Sequence, residues 1–183
     1  MALTRLNTNA FGTSVNLASN VTGTLPAANG GTGATSFAPG KVLQVVQGST
    51  TSAVSITAQS FTDTGITANI TPSATSSKVL VIITASAKLT SGSSRNSAIG
   101  GVNILRDSTQ IYGGGNNNSI GLYFANTNND NIWTMSGYSH LDSPSSTSSL
   151  TYKMQAQIET SGETITFQTG AMQSTITLME IAG

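Results

Sequence analysis

Residues 78–89, KVLVIITASAKL, decide how the rest of the chain is read. Their first half, Val79-Leu80-Val81-Ile82-Ile83, is apolar at consecutive rather than alternate positions. β-Branched side chains are stiff at χ1 and pack well on a pleated surface. Five apolar residues fall far short of the ~20 that a membrane-spanning helix needs. The run therefore predicts a long strand, apolar enough in its first half to be buried on both faces.

Working outward, shorter β-runs fill the chain from residue 41 onward. Before the key stretch come residues 41–47 (KVLQVVQ), 53–58 (AVSITA) and 65–71 (GITANIT). After it come 98–106, 110–112, 120–125, 132–140, 150–159, 164–168 and 174–181. Alternation assigns their faces. Ile66, Ala68 and Ile70 share a side, and Leu150, Tyr152, Met154, Ala156 and Ile158 form a clean apolar face. Ile176, Leu178 and Glu180 oppose Thr175, Thr177, Met179 and Ile181. Trp133, Met135, Gly137 and Ser139 share one face, and Trp133 is expected in the core. No window reads as a helix. Many short strands separated by Gly-, Ser- and Asn-rich turns argue for an all-β sandwich or barrel; over residues 41–183 an antiparallel, jelly-roll-like β-sandwich is expected.

The charge balance narrows the function. Only 8% of the 183 residues are charged, seven positive and seven negative, against about 25% in an ordinary soluble domain. Ser, Thr and Asn together supply 69 residues. A nucleic-acid partner needs a basic footprint that this chain lacks. With no cysteine there are no disulfides or thiol chemistry, and a single histidine leaves no metal-ligand set. The N-terminus has no apolar core of signal-peptide length, so neither secretion nor membrane insertion is expected. No cofactor is expected either. Near-zero net charge favours association, strands apolar on both faces need cover, and the edge strands lack Lys and Pro gatekeepers. Together these features predict an obligate homo-oligomer.

Residues 1–40 form a separate unit. Single apolar residues, among them Phe11, Val15, Leu17, Val21 and Leu25, stand far apart among Asn, Thr, Gly and Ala. Such a segment cannot bury a core by itself. By composition it is either a flexible linker or an extended arm ordered against other chains.

Here a resemblance enters. Residues 16–33, NLASNVTGTLPAANGGTG, resemble a repeat of bacteriophage tail-fibre and related virion appendage proteins. Residues 73–81 (SATSSKVLV), 104–108 (ILRDS) and 177–181 (TLMEI) resemble the small β-sandwich heads that cap such fibres. The resemblance implies a virion location, a homotrimer, an N-terminal arm docked on other virion proteins through residues 1–40, and a head pointing outward. Wound three together, the arms would place Leu17, Val21 and Leu25 along a shared axis. With one copy of the phrase and no extended shaft, a short trimeric fibre or spike for host-surface adhesion is expected. The alternatives are a capsid decoration protein that stabilises the shell and a carbohydrate-binding module.

Candidate contacts with a host glycan or protein lie in the Asn-rich loops. Asn116, Asn117, Asn118, Asn128 and Asn129 carry amides that both donate and accept, which suits sugar hydroxyls. Tyr112, Tyr123 and Trp133 nearby offer flat stacking surfaces, Trp133 being more often core than site in such a pattern. The same Asn and Gly residues also make tight turns. No catalysis is expected. His140, Asp142 and Ser143 are too close in sequence for a catalytic triad. Glu159 and Glu163 flank a Ser-Gly turn, a poor place to desolvate an acid. Asp107, Asp130 and Asp142 are read as loop residues without metal spacing.

Overall fold

The structure is a computed structural model, and it describes residues 42–91, 97–113, 120–123 and 131–183, with backbone alone for 97–98 and 120–123. The proposed arm, with Phe11, Val15, Leu17, Val21 and Leu25, lies outside the described residues.

Eleven strands follow in chain order: β1 (Val42–Thr50), β2 (Val54–Ile56), β3 (Thr62–Ile70), β4 (Lys78–Thr90), β5 (Ser97–Arg106), β6 (Thr109–Tyr112), β7 (Ile120–Tyr123), β8 (Asn131–Asp142), β9 (Leu150–Ile158), β10 (Thr164–Phe167) and β11 (Ser174–Ile181). A 3-10 turn at Thr169–Ala171 separates the last two. All pairings are antiparallel, and they form two sheets packed face to face.

Three pairs of short strands act as single broken rows. β4 gives one edge wholly to β8 and shares the other between β11 and β10. The outer edge of that row is shared in turn by β1 and β2. β5 likewise pairs with β9 on one side and with β6 and β7 on the other. Counting each broken pair as one row gives eight rows in chain order. The first sheet then runs 1-8-3-6 and the second 2-7-4-5. Rows 1 and 8, 2 and 7, 3 and 6, and 4 and 5 are the partners of one long hairpin whose tip is the β5–β6 turn. Wrapping that hairpin deals its pairs alternately to two sheets, which is the jelly-roll arrangement.

The break between β10 and β11 shows how a ladder survives interruption. Gln168, Gly170 and Ala171 all adopt positive φ there. β4 loses strand partners opposite the turn, yet its Ser86 stays paired. The Gln168 N–H donates to the Ser86 carbonyl at 3.1 Å, and the Ser86 N–H donates to Ser174 Oγ at 3.0 Å. Buried backbone groups require such substitutes.

The core is the alternating inner face of both sheets. Val79, Val81 and Ile83 of β4 and Ile176 and Leu178 of β11 meet Tyr152, Met154 and Ile158 of β9 and Ile66 and Ile70 of β3. At one margin the sheets touch backbone to side: a Cβ on Gly48 of β1 would collide with the Thr67 carbonyl of β3. The faces expected for β3, β9 and β11 are those observed. β4 differs from expectation on its outer side. Leu80 is only half-buried and Ile82 is 37% exposed, because among the described residues no layer covers that face.

Candidate functional site

Of the candidate contact residues, Tyr112 is the one whose side chain is described. It ends β6, at the margin where the second sheet meets the first. Its ring lies edge-on to Tyr138 with centroids 6.3 Å apart, and tilted against His140 at 5.9 Å. Both partners come from the inner side of β8. Burial pushes the Tyr138 phenol above its ordinary range. Tyr112 remains 40% exposed. The side chain of Gln110 holds the turn beyond it, donating to the Gly113 carbonyl at 2.7 Å. The result is a small aromatic step with one ring open to solvent.

Tyr123 belongs elsewhere. Tyr112 pairs with Ile104 and Tyr123 with Ser97 of the same strand, β5. Seven strand residues separate those positions, roughly 23 Å. The two tyrosines thus lie at opposite ends of one sheet margin. Asn116, Asn117, Asn118, Asn128 and Asn129 lie outside the described residues.

A cleft that sequence reading missed opens between β3 and β9. The register slips between Asp63 and Thr67, leaving a bulge in β3 opposite Met154. Gly65 sits in it at φ 79°, a conformation glycine adopts at little cost. The bulge is pinned by the Thr64 hydroxyl, which donates to the Met154 carbonyl at 2.9 Å, and by Thr67, which donates to the Tyr152 carbonyl at 3.1 Å. The cleft measures about 260 Å³ and is lined by Asp63, Gly65, Thr67, Thr151 and Lys153, among others. Asp63 accepts from Lys153 at 3.0 Å and from Gln155 at 2.7 Å. Desolvation pushes its carboxyl up, but these two donors outweigh it and hold it below the usual range. The available signal was Gly65 inside an alternating run, which marks a bulge; reading the strand as starting at Gly65 hid it, since β3 starts at Thr62.

A second surface feature is the outer face of the first sheet. Val45 pairs with Met179, Met179 with Leu80, and Leu80 with Leu141. One apolar row therefore crosses every row of the sheet in register. Val42, Leu43, Ile82 and Ile181 flank it. Val42 is 50%, Val45 56% and Leu141 48% exposed. Further along β8 stand Met135, 63% exposed, and Trp133, 56% exposed. Trp133 was expected in the core. Its alternation with Met135 was read correctly, but the face they share is the outer one. The outer face of the second sheet contrasts with this: its β3 and β9 side chains are Asp63, Thr67, Asn69, Thr151, Lys153 and Gln155.

Three buried acids make hydrogen bonds that join elements of the fold. Asp142 belongs to β8 rather than to a loop, and it is buried. Arg106 donates to it at 2.6 Å and Tyr152 at 2.7 Å, so one carboxylate ties β8 to β5 and β9 across the sandwich. Burial and the adjoining Asp142 push the Tyr152 phenol far up. Glu163 is also buried despite its place beside a turn, and accepts the Ile99 N–H at 3.2 Å. Glu180 is fully buried, accepting from Ser73 at 2.6 and 2.7 Å and from Gln44 at 2.6 Å. Among the described residues no cluster of three or more acids and histidines is placed to hold a metal ion.

No family model matches the chain, and no curated protein matches it. Among solved structures the chain is similar to a point mutant of the VP2 protein of infectious bursal disease virus, in derived T=1 particles. That likeness has 14% sequence identity and a TM-score of 0.38, and covers 77% of this chain and 37% of that one. A structure of the infectious bursal disease virus Gt strain is similar at 12% identity and TM-score 0.31, over 78% of this chain and 39% of that one. The chain spans less than two-fifths of the length of either.

Proposed function

We propose that this chain is a structural component of a bacteriophage virion, a short trimeric fibre or spike. Residues 1–40 attach it to the particle, and the jelly roll is presented for adhesion to the host surface. One observation carries this reading: the sandwich is two-sided. One sheet turns an apolar face outward, while the other turns out hydroxyls, amides and the Asp63–Lys153 cleft. Monomeric domains rarely leave a large contiguous apolar patch in water. The phrase at residues 16–33 supplies the virion context.

The reading makes the protein an adhesin without catalysis. The full chain is expected to bind bacterial surface polysaccharide and to release no oligosaccharide on prolonged incubation. New reducing ends would make it an enzyme and contradict the proposal. Absence of binding to any bacterial surface polymer would remove the adhesion role.

A further inference from the structure

We propose that the outer face of the β1–β11–β4–β8 sheet is covered by the other copies of this chain in its oligomer, with the row Val45–Met179–Leu80–Leu141 at the centre of the contact. This rests on the structural-component reading and specifies its partner.

Size is the first argument. Four rows at about 4.8 Å and thirteen residues of β4 at about 3.3 Å give a face of roughly 19 by 43 Å, or about 800 Å². A standard protein interface takes about 800 Å² from each partner. The face is therefore large enough for a specific contact.

Charge is the second. Along β1, β4, β8 and β11 the outward side chains include Lys78 and Lys88 but no acid. A basic partner finds no complement there, and the two lysines stand toward opposite ends of β4, about 33 Å apart, rather than as one basic patch. What fits is a neutral surface of aliphatic and hydroxyl side chains, and this chain's own net charge is zero. Between the apolar row and Met135 the face carries Thr175 paired with Thr84, and Thr177 and Ser139 on either side of Ile82. Hydroxyls of this kind can hydrogen-bond their counterparts on another copy without a desolvated charge.

The chain's lack of cysteine supplies a clean probe. Leu141→Cys and Val45→Cys, in the full chain, place one thiol each on the row, and Thr67→Cys places one on the opposite sheet. At concentrations where the mass is oligomeric, the row thiols should react with an alkylating agent at least tenfold more slowly than Thr67→Cys. The double variant Val45→Lys/Leu141→Lys, shown folded by circular dichroism, should be monomeric. Fast labelling on the row in the oligomer overturns the proposal. So does a folded double lysine variant that keeps the wild-type mass, since copies would then meet elsewhere, through residues 1–41 for example; the structural reading survives that result. Row thiols still protected in the monomeric double-variant background, tested with Met179→Cys, would show the chain covering its own face and would also overturn it. A wild-type monomer would remove the structural reading as well.

Discussion

Glu180 is a carboxylate held charged inside the sandwich. Burial alone would push it up, but donors from Ser73 and Gln44 outweigh that and hold it at about 2, against an ordinary 4.5. A carboxylate lowered on folding stabilises the fold above its unfolded value and stops doing so as pH falls through the folded one. The contribution, on the order of 3 kcal/mol, is thus complete above about pH 4.5 and lost toward pH 2. Glu180→Gln should lower stability at neutral pH and flatten its fall between those values, as urea unfolding at several pH values will show. Asp142 is a second buried acid whose partners join strands. Asp142→Asn weakens two partners at once, Arg106 and Tyr152. It should cost about 2–4 kcal/mol, roughly 5–10 °C in Tm, read by calorimetry. Neither acid was legible as structural from sequence. Glu180 was placed on the right face, but its donors Ser73 and Gln44 are 107 and 136 residues away. Asp142 looked like a loop residue because Ser-Pro follows it.

At the level of elements, strand positions and inner faces followed from alternation, because one face of each strand must meet the core. β9 is the clearest case: Leu150, Tyr152, Met154, Ala156 and Ile158 are all buried. Broken rows were less legible. β10 and β11 read as two strands, and nothing local says that both line the same edge of β4. The bulge in β3 was hidden for a similar reason, since a slip in register appears only against the partner strand. Close approach between sheets gives a test at this scale. In Gly48→Ala the new methyl meets the Thr67 carbonyl, whose strand must yield. The variant should lose about 1–3 kcal/mol on chemical denaturation. Equal stability would mean that β1 and β3 do not meet as described. Trp133 shows the limit of face assignment: alternation tells which residues share a side, while only the packing of sheets tells which side is inside.

On the whole-molecule scale, the shortage of charge and the two-sidedness of the sandwich are one property. A protein that meets its own copies through aliphatic and hydroxyl surface has little use for charge on that face. Its assembly should therefore be insensitive to ionic strength, because screening acts on exposed charges and leaves apolar burial untouched. Raising salt from about 0.05 to 0.5 M should leave the mass unchanged or favour the oligomer; dissociation by salt would point to ionic contacts instead. The candidate receptor loops were found by composition alone, and of that set Tyr112 is the one given a neighbourhood, beside Tyr138 and His140. The oligomer proposed above is one in which copies of this chain cover one another's outer sheet face. The most direct test is the mass of the purified full chain by light scattering across micromolar concentrations. The account predicts a stable oligomer with the mass of three chains. A folded particle of about 18.6 kDa at every concentration would contradict it.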